Sequence, residues 1–184
     1  MYIGIDPGKR GGIALLDGDG NLVLCKPLPH FSNPAKPRSP GDLDCRSLAA
    51  LLAPYATRVA LAVIEKPIGY TPNASAMMKL GESYGALRCL LTLAGLPLEQ
   101  AYAKAWKGHL ELSADKSLAI DLANALYGTA FTAKQDGLAE AVLLAHHAKL
   151  CHAIVVKLRP TQSLTNAKAG DVAKTKKRPQ EGAS

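Results

Sequence analysis

The sequence predicts a single α/β domain whose core is a five-stranded mixed β-sheet flanked by helices. Three short apolar segments separated by turn residues open the chain, a continuous aliphatic segment covers residues 59–64, and helical and strand-like segments alternate after it. Antiparallel strands can be joined by tight turns, whereas parallel strands need crossover connections. The order of the segments therefore predicts three antiparallel strands followed by parallel ones.

The first 42 residues are typical of a three-stranded meander followed by a loop. Apolar residues predict strands at residues 2–6, 12–16 and 22–25. The segment DGDGN at residues 17–21 is a strong turn signal between the second and third strands. Five prolines lie between residues 26 and 42, and they predict an extended loop there.

A short helix and a buried strand follow this loop. Residues 45–52 can form a helix with Asp42 or Asp44 as its N-cap. Residues 59–64 are almost entirely aliphatic, which is typical of a strand covered on both faces within a parallel sheet. The charged Glu65 ends this predicted strand.

The next two elements are a long helix and a fifth strand. Residues 74–93 have helical periodicity, and Gly81 and Gly85 within them would allow close packing on a sheet. Residues 98–103 can then form a strand. A strand, a helix and a second strand in this order predict a parallel crossover.

Two further helices precede a basic tail. Ser113 is the predicted N-cap of a helix that extends through Leu126, and the last helix extends from residue 137 to about residue 155. Beyond these helices apolar residues become rare and Lys and Arg dominate, which predicts disorder. We therefore expect a folded domain at residues 1–158 and a disordered basic tail at residues 159–184.

Composition limits the possible compartments and partners. The chain has 184 residues, 48% of them hydrophobic, and such a chain can bury one core. The N-terminal residues lack a secretory signal pattern, and no apolar segment approaches the roughly 20 residues that span a bilayer, so we expect a cytoplasmic protein with no membrane partner. The four cysteines form no Cys-x-x-Cys pair and are expected to be free thiols. A net charge of +7 favours a polyanionic partner.

Four acidic residues occupy positions where they can act together. Asp6 and Glu65 follow two predicted strands, and if these strands are parallel neighbours, both carboxylates emerge at the carboxyl edge of the sheet. Asp136 and Glu140 share one face of the last helix. Carboxylate oxygens select Mg²⁺ or Mn²⁺. Taken singly, each acid also fits a structural role in a turn, a strand end, a helix cap or an exposed helix face.

Three segments resemble a known nuclease family. The opening MYIGIDPGKRGGIALLD, the segment VIEKP at residues 63–67 and the segment KQDGLAEAVLLAHHA at residues 134–148 resemble RuvC-type Holliday junction resolvases of the ribonuclease H-like superfamily. LGESYGALRCLL and AKAWKGHLELSADKSLAIDLA are similar to segments of the small RuvC-like proteins of phages and prophages. The resemblance extends from residue 1 to about residue 150, in matching order and spacing.

The resemblance implies a ribonuclease H-like fold and a structure-selective endonuclease. It assigns Asp6, Glu65, Asp136 and Glu140 to the four metal-ligand positions, which hold two Mg²⁺ ions, or Mn²⁺ as a substitute, for phosphodiester hydrolysis. The implied substrate is branched DNA such as a four-way junction, and symmetric cleavage implies a homodimer. Glu140 departs from the family pattern, in which Asp is usual.

Six residues are candidates for contacts with DNA. They are Lys9, Arg10, Tyr70, Lys79, Lys107 and Lys116. The basic side chains can contact phosphates, and Tyr70 can stack on an unpaired base, although exposed positive charge is also typical of a surface without ligands. Trp106, which lies among the lysines, is more typical of a core anchor than of a stacking platform.

Two alternative functions remain open from the sequence, and a zinc site is considered beside them. The chain can be a non-catalytic nucleic-acid-binding module of the same fold, or an actin-like phosphotransferase. Its segment IGIDPGKRGG loosely resembles the opening segment of the actin-like group. The second needs two lobes, and 184 residues supply one. The cluster of His146, His147, Cys151 and His152 suggests zinc, but no second pair with ligand spacing accompanies it, so we do not predict a zinc site.

Overall fold

The computed structural model describes residues 1–34, 41–68 and 73–158, and these contain one five-stranded sheet. Its strands are β1 (Tyr2–Ile5), β2 (Gly12–Leu16), β3 (Leu22–Pro27), β4 (Leu61–Lys66) and β5 (Leu98–Tyr102). The spatial order is β3-β2-β1-β4-β5. β1 to β3 pair antiparallel, and β4 pairs parallel with both β1 and β5. This confirms the predicted mixed sheet.

Five α-helices surround the sheet in the described part of the chain. They are α1 (Cys45–Leu52), α2 (Ala74–Leu93), α3 (Ala103–His109), α4 (Lys116–Tyr127) and α5 (Asp136–Leu158). The sequence did not predict α3. Asp44 caps α1, as one of the two predicted candidates. Asp115 caps α4 in place of the predicted Ser113, because its carboxylate accepts the Ser117 N–H at 2.9 Å while the Ser113 hydroxyl accepts the Asp115 N–H at 3.1 Å.

The two faces of the sheet are covered by different helices. On one face, buried side chains of β1 and β2 pack with Leu48 and Leu52 of α1 and with Leu87 and Leu91 of α2. On the other face, α5 crosses β1, β2 and β4 and buries Leu143 there. The core is therefore largely aliphatic, with helices on both sides of the sheet.

Helix α5 lies directly on β1 because β1 has a glycine at the contact. A Cβ placed on Gly4 would lie 2.1 Å from the Ala141 carbonyl oxygen and 2.1 Å from the Ala145 amide nitrogen. By length and composition, the segment Ala133–Leu158 also meets the criteria for a membrane span. The burial of its first half in the core is, however, typical of the central helix of a globular domain.

Two predictions about α2 and β4 are corrected. Gly81 and Gly85 are exposed, and a Cβ placed on either would have no atom within 4 Å, so they do not serve close packing on the sheet. Only the second half of α2 packs on the sheet. β4 covers residues 61–66 in place of residues 59–64, so Glu65 belongs to the strand and pairs in register with Ala101 of β5. Pairing with the parallel strand β5 continues past the aliphatic residues of β4, as far as Lys66.

The predicted tail at residues 159–184 lies outside the described residues, and so do Tyr70 and part of the proline-rich loop, residues 35–40.

Candidate active site

Asp6 and Glu65 lie side by side at the carboxyl edge of the sheet. β1 and β4 are parallel neighbours with Ile5 opposite Ile64, and each acid is the next residue along its chain. Asp6 Oδ1 accepts the Gly8 N–H at 2.9 Å in the turn after β1. Burial raises the pKa of Asp6 to about 7, against the Gly8 hydrogen bond, and Glu140, Glu65 and Asp136 raise it further. These mutual effects show that the four acids form one electrostatic group.

Glu65 is held by the indole of Trp106. The Trp106 Nε1–H donates to Glu65 Oε2 at 2.8 Å, and the Trp106 side chain is fully buried. Burial raises the pKa of Glu65, and the Trp106 hydrogen bond opposes this effect. Trp106 is therefore a core residue, as the sequence favours, and also orients a carboxylate, which the sequence does not reveal.

The two acids of α5 are buried and paired with lysines. Asp136 is 7% exposed and Glu140 is 8% exposed. Lys116 Nζ lies 2.6 Å from Asp136 Oδ2, and Lys107 Nζ lies 2.6 Å from Glu140 Oε1. Burial raises the pKa of Asp136, but the hydrogen bond and charge of Lys116 outweigh it, together with Arg10, and hold this pKa below its ordinary value. The hydrogen bond to Asp136 in turn raises the pKa of Lys116.

A glycine allows the start of α5 to reach Asp6. A Cβ on Gly137 would lie 2.3 Å from the Arg10 carbonyl oxygen and 2.7 Å from Asp6 Oδ2. Any larger residue would push the first turn of α5 away from the turn after β1. The close contact of this backbone brings Asp136 into the group of acids.

The donor set fits hard divalent cations. Within the described residues, no hydrogen-bond donor contacts Asp6 Oδ2, Glu65 Oε1 or Glu140 Oε2. No three of the four acids have oxygens that all lie within 4.8 Å of one another, so the group is open. Lys107 and Lys116 compensate part of its charge. Oxygen ligands of this kind suit Mg²⁺ or Mn²⁺.

The predicted DNA-binding residues fall into two sets. Lys9 and Lys79 line a cleft of about 710 Å³ between the turn after β1, the loop before α1 and the first half of α2. Lys107 and Lys116 instead pair with acids, and Arg10 NH2 lies 3.6 Å from Asp136 Oδ1. The sequence does not distinguish basic residues that line the cleft from those that pair with acids, because the ion pairs depend on tertiary contacts.

Replacing Trp106 by phenylalanine removes the donor to Glu65 while keeping an aromatic ring. Loss of a residue that hydrogen-bonds a metal ligand typically lowers metal affinity or activity by 10–100-fold. We expect the affinity of the acid group for a divalent cation to fall by about that factor, as measured by titration calorimetry. Leu91→Val, on the opposite face of the sheet, is the control for lost packing, and an equal shift in both variants would contradict the role of the indole.

Comparisons of sequence find no matching family model and no matching curated protein. Comparisons of structure do find similar folds. Thermus thermophilus RuvC in complex with a Holliday junction substrate aligns with a TM-score of 0.57 at 18% identity, covering 84% of this chain and 94% of that chain. A second Thermus thermophilus RuvC structure aligns with a TM-score of 0.57 at 21% identity, covering 84% and 95%. Fowlpox virus resolvase in complex with Holliday junction DNA aligns with a TM-score of 0.49 at 12% identity, covering 82% and 99%.

The first two alignments cover most of both chains. They confirm the predicted structural resemblance: this chain has the ribonuclease H-like fold of RuvC.

Proposed function

We propose that this protein is a divalent-metal-dependent endonuclease that cuts branched DNA, such as a Holliday junction, as a homodimer. The observation that carries the proposal is the meeting of Asp6, Glu65, Asp136 and Glu140 from three elements at the carboxyl edge of the sheet. The fold shared with RuvC, whose structure contains a Holliday junction substrate, supports the choice of DNA.

Each group of the site has a distinct role in this proposal. The four carboxylates would hold two Mg²⁺ ions, or Mn²⁺, which would supply activation of water and stabilisation of the leaving oxygen. Gly8 and Trp106 fix one oxygen of Asp6 and one of Glu65, which leaves the other oxygens oriented as ligands. Lys107 and Lys116 balance the charge of Glu140 and Asp136.

The junction itself is the direct test of the function. We expect Mg²⁺-dependent nicking of a synthetic four-way junction, with junction DNA outcompeting linear duplex of unrelated sequence at equal salt, because the available contacts are to phosphates. Equal affinity for both DNAs would leave a general nuclease, and binding without nicking would favour the non-catalytic module. Sedimentation of the protein with one junction is expected to show two protomers per DNA.

The cleft beside Asp6 is the proposed path of the DNA backbone. Lys9, in the turn after β1, and Lys79, in the first half of α2, line this cleft and are exposed. We expect the double variant Lys9→Ala, Lys79→Ala to weaken junction binding and to reduce the slope of log affinity against log salt by roughly 2, since each phosphate contact contributes about 0.9. Lys157→Ala, at the far end of α5, is the control for loss of a positive charge away from the cleft. An unchanged salt slope in the double variant would contradict this path.

The basic tail is proposed to add nonspecific affinity only. Residues 160–184 contain five basic and two acidic residues, a net charge of 5 − 2 = +3. Truncation after Arg159 is expected to weaken DNA binding and its salt dependence while the Tm changes little. A large loss of thermal stability would instead show that the tail packs on the domain.

A further inference from the structure

A second group of metal ligands lies between α3 and α5. His109 ends α3, and His147 and Cys151 lie one turn apart on α5. One ligand atom from each lies within 4.8 Å of the others, and no other group of three His, Cys, Asp or Glu side chains does so within residues 1–34, 41–68 and 73–158. His147 is two helical turns, about 10 Å, along α5 from Glu140, so the two groups are separate.

The spacing of the ligand atoms matches a shared tetrahedral ion. Cys151 Sγ lies 3.4 Å from His147 Nε2. In a tetrahedral zinc site with Zn–N of about 2.05 Å and Zn–S of about 2.3 Å, the nitrogen and sulfur ligands are about 3.6 Å apart. His109 offers a third ligand atom within 4.8 Å of those of His147 and Cys151, and its ring centroid lies 4.9 Å from that of His147.

The surroundings favour a borderline-soft cation over Mg²⁺. Two imidazoles and a thiol select zinc-like ions, whereas the active-site acids offer oxygen only. Burial lowers the pKa of His147, and His109 and His146 add to this effect, so its imidazole is held in the neutral form that can act as a ligand. Burial, and to a lesser degree the charge of Glu99, raises the pKa of the Cys151 thiol, so an ion has to displace the thiol proton. A water molecule can complete four-coordination.

We propose that His109, His147 and Cys151 bind one Zn²⁺ ion, which fixes the end of α3 on α5. Binding replaces the proton of the Cys151 thiol, which leaves to solvent, with a Zn–S bond. α3 also carries Trp106 and Lys107, which contact Glu65 and Glu140. By fixing α3, the ion would therefore help to position Trp106 and Lys107, and through them Glu65 and Glu140.

The test uses the full-length protein, stripped of metal with a chelator and titrated with Co²⁺. We expect one equivalent to give a thiolate-to-cobalt charge-transfer band with tetrahedral d–d bands, displaced by Zn²⁺ but not by Mg²⁺. Cys151→Ser is expected to abolish the charge-transfer band, and His109→Asn to weaken Zn²⁺ affinity at least about tenfold. Cys89→Ser, at an exposed cysteine of α2, and Asp6→Asn are expected to leave both unchanged.

The inference is overturned if the wild-type protein shows no thiolate band, or if the band survives Cys151→Ser. An ordinary thiol–imidazole hydrogen bond would then explain the short Sγ–Nε2 distance. His109 is exposed, so His109→Asn is expected to fold and provides the test even where Cys151→Ser does not. Zn²⁺ is expected to raise the Tm of the wild-type protein, and an equal rise in His109→Asn would also contradict the site. None of these readouts depends on DNA cleavage.

Discussion

Asp6→Asn is expected to reduce Mg²⁺-dependent cleavage of junction DNA by several orders of magnitude while junction binding is retained or strengthened. Asparagine keeps the size of the side chain and an oxygen for the Gly8 N–H, but removes the charge that holds the metal ions. It also removes a negative charge that would repel phosphates. Nicking rates and binding, measured on the same junction, check both parts.

The same variant is expected to make the metal-free protein more stable at neutral and alkaline pH. The pKa of Asp6 is raised from 3.8 to about 7, so the folded state binds this proton more tightly than the unfolded chain does. The resulting stabilisation is present below pH 3.8 and is lost as the pH rises through about 7. Asp6→Asn does not lose this stabilisation at high pH. Each 1 kcal/mol added to the free energy of unfolding raises the Tm of a domain of this size by about 2–4 °C.

These two results together separate catalysis from folding. Asp121→Asn, at an exposed acid of α4, is the matched control and is expected to change neither activity nor Tm. Glu65→Gln should reduce cleavage about as much as Asp6→Asn does. The double variant should cut hardly more slowly than either single variant, because the acids act as a unit. If Asp6→Asn cuts normally in Mg²⁺, or simply unfolds, the residue is a turn former and the proposed mechanism is wrong.

The sequence predicts the acid pair on the sheet well because its placement depends on strand order alone. Once β1 and β4 are parallel neighbours, Asp6 and Glu65 must lie together at one edge. The small error in β4 has a local cause, since pairing with β5 continues beyond the aliphatic residues that mark the strand in the sequence. General rules for parallel sheets were therefore enough for this half of the site.

The contacts of α3 could not be predicted in the same way. This helix has seven residues and no side-chain cap, so periodicity and capping signals are too weak to mark it. Three of its side-chain contacts are with residues distant in the chain: Trp106 with Glu65, Lys107 with Glu140, and His109 with His147. Each depends on where α3 packs, and the sequence does not encode that position locally. Lys107, one of the lysines predicted to contact DNA, therefore lies against Glu140 in a way that the sequence does not predict.

Gly4→Ala is expected to prevent folding or to cost about 4 kcal/mol or more, at the upper end of what single substitutions do. The added Cβ would lie 2.1 Å from backbone atoms of Ala141 and Ala145, and backbone within a central strand and a buried helix cannot move aside as a flexible side chain can. α5 would have to lift from β1, which would also withdraw Glu140 from Asp6.

Gly85→Ala in α2 is the matched substitution with the opposite expected sign. A Cβ there meets nothing within 4 Å, and alanine in a helix is favoured over glycine by roughly 0.5–1 kcal/mol, so this variant should be slightly more stable. Urea unfolding of both variants checks the pair. If Gly4→Ala unfolds at the same urea concentration as the wild type, α5 does not lie on β1 at this distance. The acids of α5 would then not reach Asp6, and the active site proposed above would lose its geometric basis.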